Sequence, residues 1–144
     1  MKIKNIFING AIPAQKIATD IQKHATNTAI GAHSIFLGQV RADEKEDAVV
    51  TAIEYTAYEK MALDKIAEIR EALFEKYSLT CLHVYHSLGK VLVGEICLFV
   101  LVSSKHRKNA IEACEELVEA IKKELPIWGK EIYQNQTSVW KENR

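Results

Sequence analysis

Three lysines flank a short apolar turn in the segment KKELPIWGKEIY, residues 122–133. Lys122 and Lys123 precede the Pro-Ile-Trp turn, and Lys130 follows it. A lysine partly removed from water beside an aromatic ring has a lowered pKa, so its amine can transfer protons as well as stabilise a developing negative charge. One interpretation is therefore that the amines face a pocket that the turn builds. The alternative is that a helix ends here and the three amines are solvated.

The helical period distinguishes the two adjacent lysines. At about 100° per residue, the apolar side chains before them fall within about 60° of Cys114 and form one stripe. The stripe consists of Ala110, Leu117, Val118, Ile121 and Leu125. Lys123 falls on the opposite side and should be solvated, whereas Lys122 falls about 80° from the centre, at the border of the stripe. A border lysine presents its amine at the edge of the packed surface, either for a site or only to cover apolar groups.

Polar and basic side chains also gather where the same helix begins, in the segment SSKHR, residues 103–107. The free backbone N–H groups and the dipole of a helix start favour an anion there. The angular position of Arg107 is toward the core, where an unpaired arginine is seldom found, so a bound phosphate or carboxylate would account for it. A salt-bridged arginine beside a histidine with a structural role is the alternative. Arg41, which ends a glycine-containing strand, is either another anion contact or an ordinary loop arginine.

The length of this helix constrains how its two ends can cooperate. Arg107 and Lys122 are fifteen residues apart, which corresponds to roughly 22 Å along one helix. One chain therefore cannot bring both side chains to one small ligand. If both serve a single pocket, two chains must share it, with Lys122 from one chain and His106 and Arg107 from the other. The spacing then predicts a homodimer with sites at its interface.

Composition is typical of an ordinary globular protein. With 144 residues, we expect a single domain, residues 1–144, with enough chain to bury a core. Nineteen basic side chains balance nineteen acidic ones, which argues against broad binding of nucleic acid or of an anionic membrane. No apolar run approaches the ~18 residues of a membrane span, and the first residues lack the pattern of a signal peptide. We therefore expect a cytoplasmic protein.

The cysteines do not suggest redox or metal chemistry. Cys81, Cys97 and Cys114 are odd in number and form no CxxC motif. They are predicted to be reduced, buried cysteines that act as small hydrophobic side chains. No cysteine and histidine cluster has the usual ligand spacing, so the sequence predicts neither a metal nor another cofactor.

Hydrophobic periodicity predicts the element order β-α-β-β-α-β-β-α-β, which is an α+β arrangement. The helices are predicted at 13–26, 59–77 and 105–125. The strands are predicted at 3–8, 29–40, 49–58, 80–88, 95–104 and 131–140. The acidic segment RADEKED, 41–47, is predicted to be a loop, and GKVLVG, 89–94, a connection between two strands.

Five segments in this order resemble one known family. They are GAHSIFLGQVR, IEYTAY, HSLGKVLVGE, SSKHRKNA and KKELPIWGKE. The set is similar to the large, catalytic subunit of molybdopterin synthase, the MoaE family, from about residue 30 to residue 140. The resemblance implies an α/β hammerhead-type α+β domain with a mixed or antiparallel sheet and three helices.

The resemblance also implies an activity. The family is a sulfurtransferase that converts cyclic pyranopterin monophosphate into molybdopterin, the dithiolene ligand of molybdenum. The sulfur comes from the C-terminal thiocarboxylate of a small ubiquitin-like subunit that ends in Gly-Gly and threads its tail into the large subunit. Two large subunits form a central homodimer, and each binds one small subunit to give a heterotetramer. No metal or cofactor is required, because the partner carries the sulfur.

The family motifs assign roles to individual residues. Lys122 matches the principal catalytic lysine. The expected contacts to the substrate anion at the end of the family's G-x-V-R segment are Gln39, Val40 and Arg41. The expected contacts from the neighbouring chain are His106 and Arg107, with Arg144 aligned to a C-terminal arginine of the family. The remaining expected site residues are the substrate contacts Gly129 and Glu131 and the pocket walls Phe36 and Trp128.

The chain departs from the family pattern at two positions. Gly129 stands where the family usually has a second catalytic lysine, and Lys130 follows one residue later. We assign the second catalytic role to Lys130, although a one-residue offset in a strand reverses the side chain unless the glycine lets the backbone turn. Ser87 stands where many members have an arginine. His86, before it, is interpreted as a structural strand histidine, with ligand contact as the alternative.

Two other functions fit the same residues. A docking module for a ubiquitin-like protein would have no chemistry of its own, and the missing lysine at Gly129 favours it. An unrelated dimeric α+β protein that senses a phosphorylated metabolite would need no Gly-Gly partner.

Overall fold

The protein is described here by a computed structural model, which covers residues 4–135 and 137–141. That part of the chain contains three helices, as predicted, and eight strands. The helices are α1 Ala14–His24, α2 Glu59–Lys76 and α3 Arg107–Glu124. The strands are β1 Phe7–Asn9, β2 Ala32–Gln39, β3 Glu44–Lys45, β4 Ala48–Ala57, β5 Cys81–Leu92, β6 Ile96–Ser104, β7 Ile127–Tyr133 and β8 Ser138–Trp140. None of the described helices combines the length and apolar composition needed to span a membrane.

The strands form one mixed sheet in the order β2-β6-β5-β4-β7-β8. Along this path the neighbours are antiparallel, while β1 joins β5 in parallel and β3 pairs with β4. The long strand β5 connects the two halves of the sheet. Its first half, Cys81–His86, pairs with β6, and its second half, Gly89–Leu92, pairs with β4. Gly89 has a φ of +79° at the point where the partner changes, a conformation that glycine adopts without strain.

Both faces of β6 are buried, which explains its continuous apolar sequence ICLFVLV. One face carries Leu98, Val100 and Val102 into a core with α2 and α3. The other face carries Phe99 and Leu101 into a smaller cluster that α1 covers through Ile17. A third cluster lies between β4, β5, β6 and β7 and contains Val50, Ile53, Tyr55, Val91, Cys97 and Tyr133.

The periodicity predicted for α3 agrees with its packing. The residues of the predicted stripe are all buried or half-buried: Ala110, Cys114, Leu117, Val118, Ile121 and Leu125. Lys123 is exposed and Lys122 is half-buried, as their angular positions require. The helix ends before Leu125, which has extended dihedral angles of −80° and 134°. Pro126 accounts for this end, because the residue before a proline is pushed out of the helical region.

The structure corrects several predicted boundaries. RADEKED is not a plain loop: Glu44–Lys45 forms β3, which pairs with β4 through a tight turn. The turn residues Glu46 and Asp47 have φ values of 47° and 66°, and without Asn-Gly this turn type gives no clear sequence signal. The segment GKVLVG is largely the continuation of β5. The predicted last strand, 131–140, is two strands, β7 and β8. Of the predicted first strand, 3–8, Phe7 and Ile8 belong to β1, which continues to Asn9, and residue 3 lies outside the described residues.

We expect Leu117→Ala, on the buried face of α3, to lower the free energy of unfolding by about 2–5 kcal/mol, because it leaves a cavity in the core. Leu117 is 0% exposed, whereas Ile111 on the same helix is 55% exposed. The matched control Ile111→Ala should change the free energy of unfolding by less than about 0.5 kcal/mol. Chemical denaturation followed by circular dichroism measures both values. Equal losses would contradict the assignment of the two faces.

Candidate functional site

A cavity of about 380 Å³ lies where α3 ends and β7 begins. We call it the Lys122 cavity. Its apolar walls are Ile121, Leu125, Pro126, Ile127 and Trp128, together with the backbone of Gly129. Its polar side chains are Tyr55, His86, Lys122, Lys123, Glu124 and Lys141. The cavity lining thus contains three lysines and one carboxylate, that of Glu124. Glu124 Oε1 lies 3.8 Å from Lys65 Nζ on α2. The cavity is therefore a cationic site suited to an anionic ligand.

Lys122 is positioned by the last turn of α3. Its border position on the helix buries its stem against the core and directs it into the cavity. Burial lowers the pKa of Lys122, because removal from water penalises the ammonium form. The nearby Lys141 ammonium lowers this pKa as well, while Cys97 acts in the opposite direction. A lysine of this kind can both stabilise negative charge and exchange a proton.

His86 on β5 forms part of the cavity and is only 3% exposed. Its Nδ1 lies 2.8 Å from the Ser87 carbonyl oxygen, which can only accept, so Nδ1 carries the proton and Nε2 is left as an acceptor. Burial lowers the pKa of His86 to about 4, Lys122 adds to the effect, and the bond to Ser87 opposes it. His86 is therefore neutral near pH 7. Its bond to the Ser87 carbonyl oxygen fits the predicted structural role. Its position in the cavity wall also fits the alternative, contact with a ligand.

Tyr55 on β4 stands against His86, with ring centroids 5.1 Å apart in an edge-to-face arrangement. Burial raises the pKa of Tyr55, and the neighbouring Cys97 and Glu131 act in the same direction. The hydroxyl therefore stays protonated. Together, Tyr55 and His86 give the inner part of the cavity uncharged hydrogen-bonding groups.

Gly129 and Lys130 lie on opposite faces of β7. Gly129 pairs with Tyr55 and borders the cavity, and a Cβ at this position would lie 2.9 Å from Ile53 Cγ2. Lys130 pairs with Glu54, and its Nζ lies 3.6 Å from Glu54 Oε1. The same Nζ lies 5.8 Å from the ring centroid of Trp140. The glycine does not redirect the strand, so the structure does not bring Lys130 to Lys122, and its predicted catalytic role stays a prediction.

Lys141 is a cavity residue that sequence reasoning missed. β8 pairs with β7 so that Trp140 faces Lys130, and the next residue reaches Gly129. The Lys141 N–H donates to the Gly129 carbonyl oxygen at 2.9 Å, and the residue lines the cavity. The sequence indicates the turn between β7 and β8 only weakly, through the polar segment around Asn135. In the structure, Asn135 Oδ1 accepts from the Thr137 N–H at 3.1 Å.

Trp128 lies in the cavity wall as predicted from the family motif, 44% exposed, with its ring edge-to-face against Tyr58 at 5.1 Å. Of the residues assigned from the sequence, the structure thus brings Lys122, Trp128 and Gly129 together in one chain.

The other predicted site residues lie elsewhere in the described part of the chain. Those that are exposed are Phe36, Gln39, Arg41, His106 and Arg107. The buried ones are Val40, at 1%, and Glu131, at 2%. Arg41 Nη2 lies 3.2 Å from Asp43 Oδ2, and Glu131 Oε1 lies 3.4 Å from Lys45 Nζ. Arg144 lies outside the described residues.

The start of α3 differs from the prediction. Arg107 is exposed rather than directed into the core, because it is the first helical residue and burial begins one turn later, at Ala110. Ser103 and Ser104 are buried and already bonded. Ser103 Oγ lies 2.6 Å from His33 Nδ1, and Ser104 Oγ donates to the Ser78 carbonyl oxygen at 2.7 Å. Arg107 and Lys122 occupy opposite ends of the 18-residue helix.

Comparisons with known proteins agree with this arrangement of elements. The sequence model of the family described as MoaE protein matches residues 12–124. A rice protein, from Oryza sativa subsp. indica, named molybdopterin synthase catalytic subunit is 40% identical over 121 residues. That match covers 84% of this chain and 62% of the rice protein, so the chain spans less than two thirds of that relative's length.

Two solved structures are similar over nearly the whole chain. The X-ray crystal structure of molybdopterin synthase from Staphylococcus aureus superposes with a TM-score of 0.82 at 33% identity, covering 99% of this chain and 98% of that chain. A protein–protein complex of subunits 1 and 2 of molybdopterin-converting factor from Helicobacter pylori 26695 gives a TM-score of 0.80 at 25% identity. It covers 96% of this chain and 90% of the matched chain.

If Lys122 and Lys141 share one cavity, Lys141→Met should raise the pKa of Lys122, since a like charge is removed. The matched control Lys130→Met should leave that pKa unchanged, because Lys130 is paired with Glu54 on the other face of β7. NMR titration of isotopically methylated lysines measures the pKa of Lys122 in each protein. An unchanged pKa after Lys141→Met would show that the two amines do not interact.

Proposed function

Because the chain belongs to the MoaE protein family, we propose that it is the catalytic subunit of a molybdopterin synthase and that the Lys122 cavity is its active site. The observation that carries this proposal is the half-buried lysine with a lowered pKa, enclosed with Trp128 and a neutral histidine. The named relatives and the S. aureus structure support it. The proposed reaction is the transfer of sulfur from a protein thiocarboxylate to cyclic pyranopterin monophosphate.

The charges of the cavity fit these reactants. A phosphate ester and a thiocarboxylate are both anionic, and Lys122 and Lys141 give the cavity a positive field that attracts them. The carrier sulfur bonds to a pterin side-chain carbon as an oxygen substituent leaves that carbon with a proton. Water then adds to the acyl carbon, and the acyl carbon–sulfur bond breaks to release the carrier as a carboxylate and leave the sulfur on the pterin as a thiol. Lys122 stabilises the oxyanion that forms at the acyl carbon and returns a proton as it collapses. Two sulfurs require two carriers, so a spent carrier is exchanged for a fresh one.

The sulfur carrier in this proposal is a small ubiquitin-like subunit that ends in Gly-Gly. The two-subunit complex from H. pylori supports a partner of this kind. An extended Gly-Gly tail has no side chains that would clash with the cavity walls, and its terminal thiocarboxylate would meet the lysines.

A second copy of the chain completes the proposed site. His106 and Arg107 lie at the far end of α3 from Lys122, roughly 22 Å away. They could meet the same substrate only from a neighbouring chain, which gives a central homodimer within a heterotetramer. Arg41, exposed at the end of β2, is proposed to contact the substrate anion from the same or the neighbouring chain.

We expect Lys122→Ala to lower molybdopterin formation by about 10²-fold or more, because it removes the proposed charge stabilisation and proton transfer. Lys123→Ala is the matched control on the adjacent, exposed position and should be nearly silent. The assay combines the purified chain with thiocarboxylated small subunit and pterin substrate, and binding of the small subunit is measured separately. Activity lost together with a large fall in melting temperature would contradict a catalytic role. A wild-type chain that binds the partner but forms no product would indicate a docking module.

A separate comparison tests which lysine replaces the one missing at Gly129. We expect Lys141→Ala to reduce product formation more than Lys130→Ala, because Lys141 lines the cavity and Lys130 faces Glu54. Rates at saturating substrate and partner measure the effect. A loss after Lys130→Ala that matches the loss after Lys122→Ala would instead assign the second catalytic role to Lys130.

A further inference from the structure

A second group of reactive side chains lies under the last turn of α1, on the sheet face opposite to α2 and α3. The nitrogen atoms of His24 and His83 and the Sγ of Cys81 lie within 4.8 Å of one another. The two Nε2 atoms of His24 and His83 are 3.1 Å apart. All three residues are half-buried, so the cluster is shielded from bulk water yet reachable by a small ion.

Strand geometry brings these side chains together. Cys81 and His83 are two residues apart on β5 and therefore share a face. Cys81 pairs with Ser103 on β6, and Ser103 pairs in turn with His33 on β2. His33 therefore lies on the same face of the sheet as Cys81. The ring of His33 is 5.9 Å from that of His24, which places a third imidazole next to the cluster.

The hydrogen bonds of His24 prepare it to bind an ion. Its Nδ1 lies 2.6 Å from the Asp20 carbonyl oxygen, which can only accept, so Nδ1 carries the proton and Nε2 has a free lone pair. Metal-bound histidines typically have this second bond, which fixes the ring and its tautomer. The Nε2 of His24 points at the Nε2 of His83.

The spacing between the two imidazoles also fits a metal ion. A tetrahedral Zn²⁺ with bonds of about 2.0–2.1 Å holds two nitrogen ligands roughly 3.3 Å apart, close to the 3.1 Å between His24 and His83. Without an ion, this distance is a hydrogen bond in which His83 donates to His24. That assignment leaves His83 Nδ1 to accept from Lys4 Nζ at 3.3 Å. Ion binding would move the His83 proton from Nε2 to Nδ1, and Lys4 would keep its 2.8 Å bond to the Tyr85 hydroxyl.

The surrounding charges are compatible with a cation. Asp20 is 5% exposed, and its Oδ2 has no hydrogen-bond partner among the described residues. Its Oδ1 lies 3.6 Å from Lys16 Nζ. The charge on Lys4 disfavours a cation, and the buried carboxylate offsets it.

We propose that His24, Cys81 and His83 bind one divalent transition-metal ion of the Zn²⁺ type, with His33 or water as the fourth ligand. Imidazole and thiolate ligands select Zn²⁺ and related ions over Mg²⁺ and Ca²⁺, which prefer oxygen. The ion would tie the end of α1 to β5, and its role would be to stabilise the fold. The sequence predicted no metal, because the ligands come from separate segments and match no standard spacing. The site is independent of the Lys122 cavity, which shares none of its residues.

The test is titration of the full chain, freed of metal, with Zn²⁺ by calorimetry and with Co²⁺ by absorption spectroscopy. We expect one ion per chain, a higher melting temperature with Zn²⁺, and a Co²⁺ spectrum with tetrahedral visible bands and a thiolate charge-transfer band. Cys81→Ser should abolish the charge-transfer band, and His83→Asn should weaken Zn²⁺ affinity by roughly tenfold or more.

Matched controls separate the cluster from the chain's other cysteines and histidines. Cys114→Ala and His106→Asn remove the same side-chain types outside the cluster and should leave binding unchanged. His24→Asn, at the end of α1, provides a second ligand variant if a β5 variant fails to fold. The proposal is overturned if no saturable binding occurs, if the Co²⁺ complex shows no thiolate band, or if the ligand variants bind as tightly as the controls.

Discussion

The burial of β6 on both faces is the constraint on which the other elements depend. A strand whose side chains are apolar in both directions needs a layer on each side. Here α2 and α3 supply one layer and α1 supplies the other. Because α3 must lie along this strand, its C-terminal end is carried toward β4, β5 and β7. Lys122 then lines the same cavity as Tyr55 and His86, although it is far from both in the sequence. The site is thus a consequence of how the central strand is covered.

Much of this arrangement could be predicted because it depends on local periodicity. The three helices, the buried face of α3 and the different exposure of Lys122 and Lys123 all follow from the helical repeat. The end of α3 follows from Pro126, which excludes the helical conformation at Leu125. Trp128 could be assigned to the wall because the motif places it directly after this turn.

The missed features depend on pairing between distant segments. Lys141 reaches the cavity through the pairing of β8 with β7, and no local pattern marks a side chain delivered by an edge strand. The three residues of the proposed metal site come from α1 and β5, and His24 and His83 are almost sixty residues apart in the sequence. The prediction that Arg107 faces the core was wrong, because the helical period gives the direction of a side chain but not whether the sheet extends far enough to cover it.

Burial favours the uncharged form of the titratable groups inside the cavity. It lowers the pKa of His86 and Lys122 and raises that of Tyr55, so each is shifted toward its uncharged form. The amine of Lys141 lines the same cavity from an exposed position. The cavity therefore has a weakly charged interior and a positive opening. Such a gradient guides an anion inward and then holds it where proton transfer competes with ion pairing.

The attachment of Lys141 to an outer strand has a consequence for the timing of binding. β8 is held by three residue pairs to β7 and lies at the edge of the sheet. Edge strands of this length open locally at a low free-energy cost. Each opening removes one amine from the cavity and relieves the repulsion on Lys122. A ligand or partner that holds β8 against β7 would therefore keep this amine in the cavity and keep the pKa of Lys122 low.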